Sequence, residues 1–294
     1  MTGQPWCGPV TDQRLPVPRP RSHCRVSKIT VAEMQSLKGR QRIPVLTAYD
    51  YPMSRLLDEA GIPMLLVGDS LGMVVLGYPD TTHVTLAEML HHTRAVARAR
   101  PRALWGVDLP YGTYSTPEQA VSAARQLVAA GAEYVKAEGG AEILPQVQAL
   151  IAEGIQFMGH IGMLPQHVVE EGGKYRVKGR DEAGRQRLLN DARVLESAGA
   201  FGCVLELVAP AVTREITEAS RDMLTIGIGS GEDCDGQILV TPDLIGGFPW
   251  FTPRFVTPHA QTGEAIRVAV TDWANSVRRR SAGAPTAASP TREK

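Results

Sequence analysis

The chain has 294 residues, with 31 Lys+Arg against 31 Asp+Glu, so it carries no formal net charge at pH 7. That balance argues against a nucleic-acid binder, which shows a basic excess, and no apolar run reaches the roughly 18 residues of a membrane span. Hydrophobic residues make up 43% of the chain and aromatics only 5%, with 29 glycines, which fits a globular α/β protein whose core is mostly Val, Leu, Ile, Ala and Met.

Residues 1–26 are rich in Pro and Arg without periodicity and are expected to form a disordered leader. The leader has basic residues but no apolar h-region, so it does not read as a signal peptide. A short lead helix is predicted around Val31–Leu37. Eight strand-like runs then follow in order: IPVLTAYD, MLLVGDS, ALWGVDLP, EYVKAEGG, QFMGHIG, CVLELV, MLTIGIGSG and QILVTPD. Amphipathic helical segments separate most of them. DYPMSRLLDEAG closes on Gly61. TLAEMLHHTRAVARAR opens with the capping-box pair Thr85 and Glu88. STPEQAVSAARQLVAAGA has Ser115 or Thr116 as its cap and Pro117 in its first turn. AEILPQVQALIAEG, DEAGRQRLLNDARVLESAGA, the shorter AVTREITEAS and QTGEAIRVAVTDWANSVRRR complete the set. GEDCDG, between runs seven and eight, is too short for a helix. From Ser281 on, the tail is expected to be disordered.

Strand–helix alternation predicts parallel strands joined by crossovers. Eight units favour a closed (β/α)8 TIM barrel over residues 27–280, a single catalytic domain. No GxGxxG turn follows the first run, so an open dinucleotide fold has no direct support. The four cysteines, Cys7, Cys24, Cys203 and Cys234, show no CxxC spacing, and a reduced, cytoplasmic protein is the simpler expectation.

The chemistry is carried by the ends of runs two to six. A buried parallel strand reads as a nearly continuous apolar stretch, yet these runs carry Asp69 and Ser70, Asp108, Lys136 and Glu138, His160, and Glu206. Strand C-termini are where a barrel of this kind builds its active site. Asp69, Asp108 and Glu138 lie on consecutive strands and supply hard oxygen donors, a set that suits Mg²⁺ better than zinc. Taken singly, each acid reads equally well as a helix cap or a salt-bridge partner. Lys136 and Glu138 are two apart and share one face. An inward lysine needs anionic company, from the acids, from a substrate carboxylate, or as a plain buried ion pair. Glu206, flanked by apolar residues, suits a general base with a raised pKa, or a core-edge acid paired with an arginine.

His160 reads as supporting scaffold rather than catalyst. Ser70 either donates to a substrate carboxylate or caps the next helix. His91 and His92 fall mid-helix and read as surface or packing residues. IGIGSG, residues 226–231, reads as a phosphate loop or simply as a tight turn. Residues 170–184 read as a mobile lid over the mouth or as an ordinary basic loop.

TAYDY, LLVGDSLGM, HHTRAV, DLPYGTYSTPEQA, VKAEGG, GHIGMLPQ, KGRDEA, VLELV and IGIGSGEDCDGQILV occur in this order. Together they resemble the ketopantoate hydroxymethyltransferases across roughly residues 27–280. The resemblance implies a barrel enzyme of pantothenate synthesis. Such an enzyme moves a one-carbon unit from 5,10-methylenetetrahydrofolate to 3-methyl-2-oxobutanoate through a Mg²⁺-stabilised enolate, giving 2-dehydropantoate. It implies that Asp69, Asp108 and Glu138 serve the Mg²⁺, Glu138 directly or through water. It also implies that Asp69, Ser70, Asp108 and Lys136 hold the oxo acid, that Glu206 accepts the proton, and that the chain forms a homodecamer of two pentameric rings. GGKYRVKGR is one residue longer than the family's usual loop, Gly112-Thr113 replaces a bulkier pair, and Leu207 stands where cysteine is frequent. Two other readings stay open. One is a barrel lyase or mutase acting on another oxo acid at the same metal site. The other is a catalytically silent barrel that binds or assembles.

Overall fold

The computed structural model describes residues 27–170 and 172–280. Cys7, Cys24 and the disorder expected of residues 1–26 and 281–294 lie outside the described residues.

The lead helix α1 (Val31–Gln35) starts at a capping box in which Thr30 Oγ1 accepts from Glu33 N and the Glu33 carboxylate accepts from Thr30 N. The chain then alternates through β1 (Ile43–Thr47), α2 (Tyr51–Glu59), β2 (Met64–Val67), α3 (Leu71–Val74), α4 (Leu86–Ala99), β3 (Leu104–Asp108), α5 (Pro117–Ala129) and β4 (Tyr134–Lys136). It continues through α6 (Leu144–Ala152), β5 (Phe157–Gly162), α7 (Glu182–Ala198), β6 (Gly202–Glu206), α8 (Pro210–Ala219), β7 (Leu224–Ile228), β8 (Gly236–Leu239), α9 (Thr241–Leu244) and α10 (Thr262–Arg280). The eight strands pair in sequence order and close into a (β/α)8 barrel. The closure is parallel and runs from Ile43 opposite Gly236 to Leu46 opposite Leu239.

Caps explain where the longer helices begin. Asp50, Thr85, Thr116 and Asp181 each accept from a backbone N–H three residues on, which satisfies a donor the helix itself cannot use. Of the two candidate caps of α5, Ser115 and Thr116, the structure selects Thr116. No helix joins β7 to β8, as the shortness of GEDCDG predicts. The short helix α3 and the 3-10 turns at Thr81–His83 and Pro165–His167 are additions that hydrophobic periodicity did not signal, because each is under two turns long.

Side chains alternate across each strand. Outward residues such as Leu65, Val67, Trp105, Val107, Val135, Phe157 and Leu205 join one large buried cluster with the helices. Inward residues form a second cluster that plugs the barrel: Ile43, Val45, Met64, Leu66, Leu104, Tyr134, Met158, Val204, Leu224, Ile226 and Ile238, with Met34 of α1 packed among them. Gly106 makes room for this plug, since a Cβ there would stand 2.3 Å from the Tyr134 ring. Cys203 and Cys234 are free buried thiols. Among the described residues, no helix is long and apolar enough to cross a membrane.

Candidate active site

Asp69, Asp108, Lys136, Glu138, His160 and Glu206 are gathered at the C-terminal mouth of the barrel. The first five are buried to 5% exposure or less. Lys136 is their hub. Its Nζ lies 3.1 Å from Asp108 Oδ1 and donates to His160 Nδ1 at 3.1 Å. Asp108 Oδ2 accepts from Asp69 N at 3.1 Å, which ties the end of β2 to β3. Two of the three readings of Lys136 therefore merge: it is a buried ion pair, and it stands within the carboxylate cluster.

An ammonium group has donors only. His160 Nδ1 must therefore accept, which leaves the proton on Nε2. Burial first, and the Lys136 charge second, hold this imidazole well below its ordinary pKa, so it stays neutral. Nε2 lies 3.3 Å from Glu206 Oε2, outside hydrogen-bond geometry. His160 thus stands between Lys136 and Glu206. Its 3.6 Å approach to Glu138 Oε1 is a contact between two acceptors and carries no ion pair.

Glu206 ends β6, and its side chain is 13% exposed against 1% for Glu138, which makes it the more accessible of the two acids. The ionisable group nearest its carboxylate is the neutral His160, not an arginine. Burial pushes its pKa up to about 8, only partly offset by the Lys136 charge. The backbone beyond it is braced. Met163 N donates to Glu206 O at 2.8 Å, Leu207 N donates to Ile228 O at 2.9 Å, and Lys178 N donates to Leu207 O at 2.8 Å. Leu207 takes φ 46, a left-handed conformation that costs a non-glycine residue energy. Gly162 has no room for a side chain, since a Cβ would stand 2.2 Å from Glu206 O.

Burial raises the Asp69 carboxyl, and the Asp108 charge adds to the effect. Burial likewise raises Glu138 well above the ordinary carboxylate range, with Asp69 contributing. Burial alone would lower Lys136, but Asp108, Glu138 and Asp69 together raise it, so the ammonium persists.

The donor set fits a hard cation. Glu138 Oε1 is buried with no hydrogen-bond partner, and Asp108 Oδ1 has only its ion-pair contact with Lys136. Among the described residues, no three His, Cys, Asp or Glu side chains converge tightly enough to hold a metal by themselves. Mg²⁺ does not require that, because it keeps several waters and binds through one or two carboxylates plus substrate oxygens.

Four residues of the site went unnoticed in the sequence. Tyr49 Oη shares a 2.9 Å hydrogen bond with Ser70 Oγ. Ser70 makes no side-chain cap bond to α3, so the capping reading does not hold. Gln166, 2% exposed, donates from Nε2 to Asp69 Oδ2 at 2.7 Å and from its backbone N to Glu138 Oε2 at 2.9 Å. Tyr114 donates its hydroxyl to Gln166 Oε1. Tyr175, in the loop after β5, is 49% exposed, and burial together with the Glu206, Glu138 and Asp69 charges pushes its phenol up to about 12. His92 Nδ1 lies 2.7 Å from Tyr49 O, a packing role one layer out. Ser230 of the glycine-rich 226–231 segment is buried; it donates to Leu205 O at 2.7 Å and accepts from Val208 N at 2.9 Å. That hydroxyl braces β6.

The sequence model of the ketopantoate hydroxymethyltransferase family matches residues 28–284. The chain belongs to this family. It is 49% identical over 253 residues to the 3-methyl-2-oxobutanoate hydroxymethyltransferase of Heliobacterium modesticaldum, covering 85% of this chain and 91% of that one. It is 50% identical over 252 residues to the enzyme of the same name from Caldivirga maquilingensis, covering 85% and 94%. Among solved structures, a phosphonopyruvate hydrolase complexed with oxalate and Mg²⁺ superposes with TM-score 0.58 at 12% identity, covering 87% of this chain and 88% of that one. A phosphonomutase-like protein from Burkholderia cenocepacia superposes with TM-score 0.61 at 19% identity, covering 82% and 99%. At such identities these two likenesses speak to the fold alone. Family membership sets aside the silent-barrel and lyase readings.

Proposed function

We propose that this chain transfers a hydroxymethyl group from 5,10-methylenetetrahydrofolate to 3-methyl-2-oxobutanoate, giving 2-dehydropantoate for pantothenate synthesis in the cytoplasm. The observation that carries this reading is the placement of Glu206. An accessible carboxylate with a raised pKa stands at the same mouth as a persistent ammonium and three buried acids.

Ser70, Asp69, Asp108 and Lys136 would hold the oxo acid, and Asp69 and Asp108 would hold Mg²⁺ with Glu138 serving it directly or through water. When bound, the cation supplies Lewis acidity toward the keto oxygen. Glu206 takes the C3 proton onto a carboxylate oxygen. The electron pair left on C3 forms the new bond to the folate-borne methylene carbon as one of its two C–N bonds breaks; water then replaces the other nitrogen and supplies the hydroxyl group, and tetrahydrofolate leaves with one proton from C3 and one from that water. Lys136 places positive charge beside the negative charge that develops on the substrate. His160, neutral and hydrogen-bonded to Lys136, keeps a second cation away from Glu206. Residues 172–184, tied to the chain just beyond Glu206 by Lys178 N donating to Leu207 O, limit water at the reacting carbons.

The homodecamer implied by the resemblance finds support in α10. Ile266, Val270, Trp273 and Val277 stand exposed at helical spacing along one face. An apolar stripe of that kind marks an interaction surface. Sedimentation velocity checks it: a monomer at micromolar concentration refutes the oligomer.

The decisive experiment is C3 deuterium exchange of 3-methyl-2-oxobutanoate with Mg²⁺ and no folate. Wild type should exchange, with a rate that climbs as pH rises toward about 8 and then levels. Glu206→Gln should lower exchange about 10²- to 10⁴-fold while oxo-acid binding persists. Undiminished exchange in the variant would exclude Glu206 as the base. Product formation that does not need 5,10-methylenetetrahydrofolate would overturn the donor.

A further inference from the structure

Gln166 carries no charge, lies on no strand, and sits in the 3-10 turn Pro165–His167. Its polar groups nonetheless hold two acids of the site. Nε2 donates to Asp69 Oδ2 at 2.7 Å and to Leu109 O at 3.0 Å, while the backbone N donates to Glu138 Oε2 at 2.9 Å. Oε1 accepts from the Tyr114 hydroxyl. The amide has one orientation that satisfies all of these. A carboxylate and a carbonyl only accept, so both must face the NH₂ group, and the phenol then faces the oxygen.

Gln166 is 2% exposed and Tyr114 is 7% exposed, so water does not compete for these bonds. Burial, reinforced by the Glu138 and Asp69 charges, keeps the Tyr114 phenol protonated and able to donate. A neutral amide suits the place. It restrains a carboxylate without cancelling its charge, where a lysine would compete with a bound cation and an acid would add repulsion.

We propose that Gln166, locked by Tyr114, is a positioning residue that fixes one oxygen each of Asp69 and Glu138 and so leaves their other oxygens oriented for the divalent cation. Glu138 Oε1, buried without a hydrogen-bond partner, is the oxygen this arrangement sets free. The assignment rests on the proposed function, because it needs a cation at this mouth.

The test uses Mn²⁺ in place of Mg²⁺, with its binding followed by electron paramagnetic resonance in the presence of 3-methyl-2-oxobutanoate. Wild type is measured first. If it binds no Mn²⁺ with the oxo acid, the proposed function fails and takes this inference with it. If it binds, Gln166→Met, which keeps the side-chain length and the backbone N–H but removes the amide, should weaken Mn²⁺ about tenfold or more. Tyr114→Phe, which frees the amide to rotate, should weaken it about twofold to tenfold. A residue that merely fills space would lower the melting temperature and leave Mn²⁺ affinity unchanged. Wild-type Mn²⁺ affinity in folded Gln166→Met overturns the inference while the function stands. Should Gln166→Met fail to fold, Tyr114→Phe decides by the same reading, and wild-type affinity there overturns it.

Discussion

Midway along the barrel, the inward positions carry Met64, Leu104, Tyr134, Met158 and Val204. Two residues further along β4, β5 and β6, and four along β3, the same inner face carries Lys136, His160, Glu206 and Asp108. A side-chain period of two produces both regions. The apolar residues determine which face points inward, and a one-residue slip would turn every mouth group onto the helices. The plug thus does more than stabilise. It supplies the register that delivers charged groups to one place, and its burial offsets the cost of holding them away from water.

Substitutions two residues apart on β4 separate these contributions. Lys136→Met removes the ammonium and keeps the length of the side chain. It should reduce turnover about 10²- to 10³-fold, the loss expected when one positive or donor group is taken from a developing charge. It should also weaken binding of the oxo acid, measured by calorimetry with Mg²⁺ present. Turnover within a few-fold of wild type would show that Lys136 only pairs with Asp108.

Tyr134→Ala attacks the plug instead. The ring packs edge-on against Phe201 with centroids 5.2 Å apart, and its hydroxyl donates to Leu65 O at 2.9 Å. Its removal should cost about 3–5 kcal/mol, as for other large-to-small changes of buried aromatics, read as a fall in the urea midpoint. The protein that remains folded should keep kcat within a few-fold. A collapse of kcat with an unchanged urea midpoint would break the division between plug and mouth.

The sequence carried much of this division, for a physical reason. A charged residue inside an apolar run is conspicuous, so Asp69, Asp108, Lys136, Glu138, His160 and Glu206 could be picked out, and the barrel's closure brought them together. The shortness of GEDCDG likewise told that no helix joins β7 to β8. Gln166, Tyr114 and Tyr49 left no such mark. They are ordinary polar residues in loops, and their importance arises from where the chain carries those loops after the strands end. Ser230 was hidden for a related reason. A glycine-rich strand end has the same appearance whether it cradles an anion or, as here, lets a buried hydroxyl brace the neighbouring strand. Tyr175 depended on the path of a long connection that hydrophobic periodicity does not describe.

The smallest effect probes the cost of the mouth directly. Burial raises the pKa values of Asp69, Glu138 and Glu206 above those of the unfolded chain. The folded protein therefore holds more protons than the unfolded one at intermediate pH, and stability falls as pH rises. For Glu206 the window runs from its ordinary value of 4.5, where the contribution is full, through about 8, where it is lost. Mg²⁺ should act in the opposite sense, since it binds ionised carboxylates and is displaced by protons. Its stabilisation should be slight near pH 6 and grow toward pH 8, to about 2.7 kcal/mol at a hundredfold excess over its Kd. Thermal melts with and without Mg²⁺ across this range give the increment at each pH. Glu138→Gln should flatten the increment by removing one of the titrating acids, whereas Tyr134→Phe, altered only in the plug, should keep it. An increment in wild type that stays constant from pH 6 to 8 would mean that the mouth acids are already ionised without a cation, and that burial there costs far less than the raised pKa values imply.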